Sequence, residues 1–440
     1  MRNVKNSGNA NNNNNARNRN AAVAPDCVAS RIKVGIRRNQ RIYTRNNRLS
    51  RKRGIYAVMQ ASFGMCCCYA ANGENMEYED VLSFESLYQG FKKCKLSASW
   101  KDSVAIYNAN ALKNTLRLKK ELLDGTYRIS PYNSFVITDP KRREVKATQI
   151  RDRQFQHALC DLVLYDDLTE HFIYDNCACQ KGKGVDFALN RMAEHLRRYY
   201  RKNGAEGYIL KCDIRHYFAE TSHSVAKAAV RKRVKDDGVY NAVCKIIDSF
   251  GGDKGIGLGS QVSQLVQLAV LDDLDHFIKE RLHIEQYIRY MDDFVLIHKD
   301  KVYLNSCKAQ IEQRLAEIGL ALNRKTQIFP IRQGVRFLKW KFNLTDSGRV
   351  LRTPDKKSIY REKRKLKRMK QLNTPAERAA ISFLSWASAI ERGKAKSNNA
   401  KRKLGKIIAY TPCSAVVEDM RKLFIELFGA DPYRVDKNKA

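Results

Sequence analysis

One stretch, residues 287–300, places two adjacent acids between two apolar runs. It reads YIRYMDDFVLIHKD, and the apolar β-formers on each side predict a β-hairpin with Asp292 and Asp293 at its turn. Adjacent carboxylates repel each other, so such a turn does little to stabilise a fold. Carboxylate oxygens are, however, the ligands that hard divalent cations prefer. The stretch therefore predicts a hairpin that presents metal ligands.

A third acid, Asp213, lies in the segment GYILKCDIRHYF, which we predict to be a strand over residues 207–218. Phosphoryl transfer from a nucleoside triphosphate uses two divalent ions about 3.5–4 Å apart, held by carboxylates from different strands. Asp213 precedes Asp292 by 79 residues (292 − 213), and the acids meet if its strand lies beside the hairpin. A lone aspartate is usually a turn or helix-cap residue. This ordered set instead predicts two Mg²⁺ ions, or Mn²⁺ in their place, at a nucleotidyl-transfer site.

The chain carries a formal net charge of +36, from 82 Lys and Arg against 46 Asp and Glu in 440 residues. Such an excess favours nucleic acid as partner, the alternative being a basic protein without one. The cations concentrate in residues 352–406, which we predict to be helical, and in a turn at 180–184 that opens a helix. A solvated helix or turn is the alternative in each case. The residues predicted to contact a nucleic-acid backbone are Lys181, Lys183, Lys363, Arg364, Lys367 and Arg368.

The twelve cysteines have the spacing of neither a disulfide framework nor a zinc site. We expect reduced thiols in a cytoplasmic protein. The apolar stretch 55–71 is too short for a comfortable membrane span and starts too far along the chain for an ordinary signal peptide. The sequence therefore predicts no membrane partner.

The remaining pattern mixes helices and strands, which predicts the α+β class. Helical periodicity begins near Met76, a second helix covers 105–123, and a β-hairpin over 127–150 turns at Asp139-Pro140. An amphipathic helix led by Arg151 follows. A glycine-rich loop at 251–260 leads into a long helix. Beyond the acidic hairpin we predict a helix at 308–320 and strands within 320–329 and 334–344.

In this order and spacing, KCDIRHYF, the glycine-rich loop and YMDDFVLI resemble motifs A, B and C of reverse transcriptases. The resemblance runs from about Met76 to about residue 405. It implies a right-hand polymerase with fingers, a palm built on an antiparallel ferredoxin-like sheet, and a helical basic thumb. The implied domains are fingers and palm at 76–345, the thumb at 346–410, and a C-terminal helix and tail at 411–440.

Carried over position by position, the resemblance assigns roles to the matching residues. Asp213, Asp292 and Asp293, with the backbone of Ile214, would bind the metal ions. Lys325 would be a general acid for the leaving pyrophosphate. Phe218 matches the bulky residue that excludes a 2′-OH, although an ordinary core Phe is the alternative. GVRFLKWKF resembles the primer-grip hairpin, with Lys339 where a glycine is usual. The residues expected to bind or select the nucleotide are Phe218, Leu258, Gly259, Ser263, Gln264, Arg142 and Arg151.

Motif B departs from the common Gln-Gly-x-x-x-Ser-Pro pattern, because Leu258 replaces the first Gln and Gln264 replaces the Pro. This variant resembles the reverse transcriptases of diversity-generating retroelements, which copy a template-repeat RNA with errors at adenines. An aliphatic residue lacks the amide whose hydrogen bonds would enforce pairing. The resemblance implies template RNA, primer or cDNA, dNTPs and a small basic accessory protein as partners.

The first twenty residues hold ten asparagines, and residues 1–75 are predicted to be disordered in isolation. Two interpretations stay open: a basic tail that contacts RNA non-specifically, or a translated template repeat and spacer with Met59, Met65 or Met76 as the true start. Two other functions also stay open. One is an antiphage-defence reverse transcriptase; the other is a polymerase-derived RNA-binding maturase, which the intact set of three aspartates argues against.

Overall fold

The computed structural model describes residues 76–96, 98–138, 142–404 and 413–435. The asparagine-rich segment and the Asp139-Pro140 turn lie outside the described residues. Single π-helical turns follow α5 and α12, at Cys160–Leu164 and Phe277–Arg281. The α-helices are α1 Tyr78–Val81, α2 Phe84–Lys95, α3 Asp102–Ala109, α4 Ala111–Leu123, α5 Ile150–Leu159, α6 Tyr165–Thr169, α7 Val185–Asn203, α8 Tyr217–Glu220, α9 His223–Arg231, α10 Asp237–Asp248, α11 Gln261–Val270, α12 Asp272–His276, α13 Lys301–Glu317, α14 Lys356–Gln371, α15 Ala376–Leu404 and α16 Cys413–Phe428.

The described strands form three antiparallel sheets. A hairpin of β1 and β2 stands alone, four strands form the sheet in the order β4-β5-β3-β6, and the last three form the order β7-β8-β9. A 3₁₀ turn, Ile331–Gln333, connects the second and third sheets. The strands are β1 Asn133–Ile137, β2 Arg143–Ala147, β3 Tyr208–Asp213, β4 Gln286–Tyr290, β5 Asp293–His298, β6 Gln327–Pro330, β7 Val335–Phe337, β8 Trp340–Leu344 and β9 Val350–Pro354.

The four-stranded sheet is buried on both faces, which explains its nearly continuous apolar strands. Successive side chains of a strand point to opposite faces. Leu210 and Phe294 enter a core with the helices of the first half of the chain. Ile209 and Val295 enter a second core with α7, the third sheet and helices α14–α16. The sheet therefore joins the two cores, and its strand ends carry the acids.

The first core depends on a close crossing of α2 and α5. Ser83 caps α2 by accepting a hydrogen bond from the Ser86 amide. At Gly90, a Cβ atom would lie 2.3 Å from the carbonyl oxygen of Gln154. Only a glycine at this position lets the two backbones approach so closely.

Several element boundaries differ from the sequence prediction. The helix predicted at 308–320 is α13, Lys301–Glu317. The predicted strand over 207–218 ends at Asp213, opposite the first residue of β5, and His216 adopts φ 45° before α8. Residues 350–354, predicted to lie in or beside the basic helical segment, form β9, which pairs with β8 from Trp340 opposite Pro354. The predicted helix over 105–123 is divided at Asn110 into α3 and α4. The β1–β2, β4–β5 and β7–β8 hairpins are confirmed, and so is the α+β class.

Two further expectations concern thiols and membranes. Within the described ranges the cysteines are free thiols, most of them buried. No helix in the part of the chain that the structure describes has the length and apolar character needed to cross a membrane.

Candidate active site

The structure brings the three predicted acids together at one end of the four-stranded sheet. Asp213, the last residue of β3, lies directly opposite Asp293, the first residue of β5. Asp292 precedes it in the β4–β5 turn, and its carbonyl accepts a hydrogen bond from the Ile214 amide at 3.2 Å. Paired residues on neighbouring antiparallel strands point to the same face. Asp213 and Asp293 therefore share one face of the sheet, with Asp292 beside them.

The β4–β5 turn has a strained backbone and is held by a hydrogen bond from a buried arginine. Met291 adopts φ 58°, a left-handed conformation that costs a non-glycine residue roughly 1 kcal/mol or more. Arg289, fully buried, donates from Nη1 to the Met291 carbonyl at 3.1 Å. The same guanidinium forms an ion pair with buried Asp275, with Nη2 and Oδ2 2.5 Å apart. This ion pair fixes the turn on which Asp292 sits.

Two residues that sequence reasoning missed bind the carboxylates. Asn323 donates from Nδ2 to Asp213 Oδ2 at 3.0 Å, and its amide donates to the Asp213 carbonyl at 2.7 Å. Lys211 donates from Nζ to Asp293 Oδ2 at 3.2 Å. Lys211 precedes Asp213 by two positions and so lies on the same face of β3. That spacing was the one available sequence signal for it.

The electrostatics of the site favour a cation. Burial raises the pKa of the Asp293 carboxyl to about 6, and the charges of Asp213 and Asp292 act in the same direction while Lys211 opposes them. Asp293 Oδ1 is buried and accepts no hydrogen bond from the described residues. As they stand, no three Asp, Glu, His or Cys side chains within the described ranges are grouped to hold a metal ion. This oxygen-only donor set nevertheless fits a hard divalent cation, with Asp293 Oδ1 still available as a ligand.

The glycine-rich loop packs along the segment that follows Asp213. The Ile256 amide donates to the Phe218 carbonyl at 2.8 Å, and the Gly255 amide donates to the Thr221 carbonyl at 2.9 Å. The Phe218 ring is half-buried and lies edge-on to Tyr217 at a centroid distance of 5.9 Å. The structure thus brings the predicted selectivity residue Phe218 beside the loop that carries Leu258.

Gly259 lies where this loop meets β2, in the segment predicted to form the fingers and palm. Its φ is 111°, and a Cβ atom built there would lie 3.6 Å from Val145 Cγ1. Lys146 of the same strand donates from Nζ to the Phe250 carbonyl at 2.8 Å. Leu258, one residue before Gly259, is half-buried. The β2 strand and the glycine-rich loop are therefore joined at the positions predicted to contact the nucleotide.

The loop ends at Ser260, which caps α11 by accepting from the Ser263 amide at 3.4 Å. The Ser260 hydroxyl donates to Gln156 Oε1 on α5 at 2.9 Å. Ser263 is buried, and its own hydroxyl has no hydrogen-bond partner among the described residues. Gln264 Oε1 accepts from the Cys179 thiol at 3.3 Å. The residue that replaces the usual Pro is thus held by the loop before α7.

Some of the lysines and arginines predicted to bind the nucleotide or the nucleic-acid backbone are bonded within the protein, whereas others are exposed to solvent. Arg151 forms an ion pair with Glu121 at 2.9 Å and donates to the Arg128 carbonyl at 2.7 Å. Lys183 donates to two backbone carbonyls at 2.9 and 3.0 Å, and burial lowers its pKa. Lys181 Nζ lies 3.6 Å from Asp166 Oδ1. By contrast, exposed side chains are found at Arg142, Lys325, Lys363, Arg364, Lys367 and Arg368.

The last four of these cations lie on α14, in the segment predicted to form the thumb, and this helix docks through a narrow apolar stripe. Leu366 is fully buried, and Ile359 and Met369 pack against the second core. The turn between β7 and β8 consists of Leu338 and Lys339, at φ 49° and 69°. A two-residue turn with positive φ at both positions favours glycine. This explains why glycine is usual at the Lys339 position of the hairpin.

The chain is similar to known proteins over part of its length. A family model described as reverse transcriptase (RNA-dependent DNA polymerase) matches residues 139–342. Protein YkfC of Escherichia coli (strain K12) is 24% identical over 320 residues, which cover 61% of this chain and 78% of that protein.

Two solved structures are among the matches. Telomerase from Candida albicans, in complex with a fragment of telomeric RNA, aligns at 12% identity with a TM-score of 0.38, over 69% of this chain and 60% of that one. Apo telomerase from Candida tropicalis aligns at 11% identity with a TM-score of 0.40, over 68% and 63%. The chain thus spans less than two thirds of each telomerase chain.

The family match covers β2, the four-stranded sheet and the three aspartates. With the antiparallel sheet order and the helices around it, the match confirms the right-hand polymerase fold predicted from the motifs. The chain therefore contains a domain of the reverse transcriptase family, the RNA-dependent DNA polymerases, at residues 139–342.

Proposed function

We propose that this protein is an RNA-directed DNA polymerase whose active site is formed by Asp213, Asp292 and Asp293. The observation that carries the proposal is the cross-strand pair of Asp213 and Asp293 within the reverse transcriptase domain. Two like charges opposite each other destabilise a sheet unless a cation is bound between them. The arrangement is therefore understandable as a metal site.

Two Mg²⁺ ions, or Mn²⁺, would be held by the three aspartates and the backbone carbonyl of Ile214. When bound, such ions lower the pKa of a primer 3′-OH and neutralise charge on the triphosphate. Asn323 and Lys211 each bind one carboxylate oxygen, Asp213 Oδ2 and Asp293 Oδ2 respectively. Arg289 keeps Asp292 in place by fixing the preceding residue of the turn.

The residues around the carboxylates would orient the nucleotide. Phe218, held to the glycine-rich loop through its carbonyl, would exclude a 2′-OH and so select dNTPs. Arg142 is exposed on the fingers and would reach the triphosphate, whereas Arg151 would first have to leave its ion pair with Glu121. Lys325, exposed two residues after Asn323, would donate a proton to the leaving pyrophosphate.

Template RNA and primer would lie along the thumb. The exposed cations of α14, among them Lys363, Arg364, Lys367 and Arg368, and the net charge of +36 support a polyanionic ligand on this helix. Lys181 and Lys183 are the second proposed contact, although the internal bonds of Lys183 leave it less available than the cations of α14.

The polymerase would serve a diversity-generating retroelement, copying a template-repeat RNA into cDNA with errors at adenines. Leu258 and Gln264 support this role, since Leu258 has no amide with which to test a base pair. A small basic accessory protein would assist. The free thiols of the described part suit a reducing cytoplasm. An antiphage-defence polymerase and an RNA-binding maturase are the alternative roles.

Primer extension on an adenine-rich RNA tests the function. We expect the purified full chain with Mg²⁺ and dNTPs to extend a DNA primer and Asp292→Ala to be inactive. Sequencing should show substitutions concentrated opposite template adenines. Failure of the wild-type chain to extend any primer would refute the polymerase proposal. Extension with evenly spread errors would refute only the diversity-generating role.

A further inference from the structure

Lys211 connects the catalytic carboxylates to a different part of the molecule. Its ammonium group donates to Asp293 Oδ2 at 3.2 Å and to the backbone carbonyl of Arg336 at 2.7 Å. Arg336 is the central residue of β7, in the hairpin that resembles a primer grip. An ammonium has three donor hydrogens, so both bonds form at once. The side chain is only a quarter exposed, at 25%.

We propose that Lys211 is a positioning residue that couples the β7–β8 hairpin to the Asp293 carboxylate. It presents one oxygen of Asp293 towards the metal site and competes with the metal for the other. The hairpin that would hold the primer end and the carboxylate that would bind the metal are thereby linked. The inference rests on the proposed polymerase function and adds a residue that the motifs do not assign.

The position of Lys211 in the sheet makes this contact specific. In the register of β3 and β5, Lys211 pairs with Val295 while Asp213 pairs with Asp293. Lys211 is therefore the diagonal neighbour of Asp293 on the face that carries the carboxylates, within reach of a long side chain. A residue at 210 or 212 would point into the opposite core. No other position of β3 combines this face with this distance.

The contacts continue beyond the hairpin to the thumb. The Arg336 side chain forms an ion pair with Asp355, with Nε and Oδ1 3.2 Å apart. The Asp355 amide donates to the carbonyl of Lys339 in the hairpin turn at 2.9 Å, and α14 begins one residue later. A continuous series of bonds thus runs from Asp293 through Lys211 and Arg336 to the first residue before the thumb helix.

The positive charge of Lys211 determines whether its removal should strengthen or weaken metal binding. The ammonium neutralises Asp293, so removing it leaves a carboxylate with more negative potential for a cation. We expect Lys211→Met to bind Mn²⁺ roughly three- to tenfold more tightly than the wild type. The same variant loses the link to the hairpin, and misplacement of the reacting groups should lower kcat about tenfold or more. The KM for dNTP should stay close to the wild-type value, because Lys211 does not contact the nucleotide.

The experiment uses the full chain, four single variants and one double variant. Mn²⁺ affinity is measured without nucleic acid or dNTP, from the electron paramagnetic resonance signal of free Mn²⁺. Primer-extension kinetics then give kcat and KM. Lys211→Arg keeps the charge and should return the Mn²⁺ affinity to the wild-type value. Lys299→Met, an exposed lysine just after β5, is the matched control and should change neither quantity.

Asp355→Asn tests the link to the thumb. It weakens the ion pair with Arg336 and should lower kcat in the wild-type background, but not further in Lys211→Met, because the path passes through Lys211. Independent, multiplicative losses in the double variant would overturn the coupling.

Weaker or unchanged Mn²⁺ binding in Lys211→Met would overturn the proposal. Weaker binding would mean that the substitution damages the fold, and unchanged binding would mean that Lys211 does not influence the metal site. This measurement needs no polymerase activity. A chain that fails to extend primers would therefore refute the proposed function while the Mn²⁺ result still decides the role of Lys211.

Discussion

The cross-strand pair of Asp213 and Asp293 places two like charges opposite each other, an arrangement that the proposed cation site explains and that stability alone does not. Like charges that face each other on neighbouring strands destabilise a sheet, whereas a positive and a negative charge at these positions would stabilise it by roughly 0.2–1 kcal/mol. Lys211 and Asn323 offset part of this repulsion through their bonds to the carboxylates. Active sites commonly retain such destabilising arrangements because function needs them.

Replacing one of these acids should therefore stabilise the protein and inactivate it. We expect Asp213→Asn to raise the free energy of unfolding by about 0.5–1 kcal/mol, because the repulsion disappears and the new amide oxygen still accepts from Asn323. Primer extension should be lost. Urea unfolding and extension assays measure the two effects. Asp419→Asn, on the exposed side of α16, removes the same charge and should change neither. A destabilised Asp213→Asn would contradict the argument.

Leu258 allows a test of copying accuracy at a single position. We expect Leu258→Gln to lower misincorporation opposite template adenines by roughly fivefold, since one hydrogen bond is worth about 1 kcal/mol. Sequenced products of an adenine-rich RNA give the error spectrum. Leu112→Gln makes the same change on exposed α4 and serves as control. An unchanged spectrum in Leu258→Gln would exclude this residue as a source of the errors.

Among the elements, the crossing of α2 and α5 depends on the missing side chain of Gly90. A Cβ atom there would lie 2.3 Å from the Gln154 carbonyl oxygen and 3.2 Å from the Ala158 amide nitrogen. Backbone atoms cannot move aside as a flexible side chain can. The two helices must separate to admit even one methyl group.

Gly90→Ala should therefore destabilise the protein although alanine is the better helix former. Helix propensity favours alanine by about 1 kcal/mol, but overpacking of a tight contact costs about 1–3 kcal/mol, and we expect a net loss. Gln89→Ala, the exposed neighbour on the same helix, should be neutral or slightly stabilising. Urea unfolding of both variants decides; a Gly90→Ala protein as stable as the Gln89→Ala protein would show that the helices separate freely.

Sequence patterns predicted the elements whose signal is local. The β4–β5 hairpin and the acids at its turn follow from residue type and order alone. The end of β3 at Asp213 does not, because it depends on where the neighbouring strand β5, far along the chain, begins. Lys211 and Asn323 were missed because their partners lie 82 and 110 residues away. Each looks like an ordinary polar surface residue until the fold brings its carboxylate alongside.

A buried charge cluster anchors the loop before α7 to the sheet. Asp175 accepts from Arg191 and His195 of α7, the latter at 2.9 Å, and from Lys279 at 2.8 Å. Its backbone carbonyl accepts from the Arg289 amide at 3.0 Å. Burial alone would raise the pKa of Asp175. The hydrogen bonds of His195 and Arg191, and the charges of His195 and Lys279, outweigh it and hold the pKa well below its usual range.

The lowered pKa of Asp175 determines how its contribution to the free energy of unfolding depends on pH. The contribution is complete above the unfolded-state pKa of about 3.9 and is lost as the pH falls towards the folded-state pKa. Asp175→Asn should lower the free energy of unfolding by about 3 kcal/mol at neutral pH, because buried cations lose their partner. The difference from wild type should shrink only below about pH 4. Glu285→Gln, in an exposed pair with Lys202, should change little at any pH. A difference that vanishes at pH 6 would contradict this assignment.

For the whole molecule, the distribution of charge matters more than its total. The four-stranded sheet concentrates negative charge at one end, where Asp213, Asp292 and Asp293 meet. The net charge of the chain is +36, and α14 exposes several of its cations on the helix that follows the β7–β9 sheet. A polyanion bound along α14 would direct its reacting end towards the carboxylates only if the hairpin and thumb keep their linkage to the sheet.

The salt dependence of RNA binding tests whether α14 is the nucleic-acid surface. Each phosphate contact adds about 0.7–0.9 to the slope of log affinity against log salt concentration. Changing Lys363, Arg364, Lys367 and Arg368 together to Gln should therefore reduce that slope by about 3 for a primer–template duplex. Gln is a good helix former, so α14 should stay folded.

The control removes four cations from α4, at Lys113, Arg117, Lys119 and Lys120. Fluorescence anisotropy from low to moderate salt gives the slopes. Equal reductions in both variants would mean that net charge alone, and not the thumb helix, attracts the RNA.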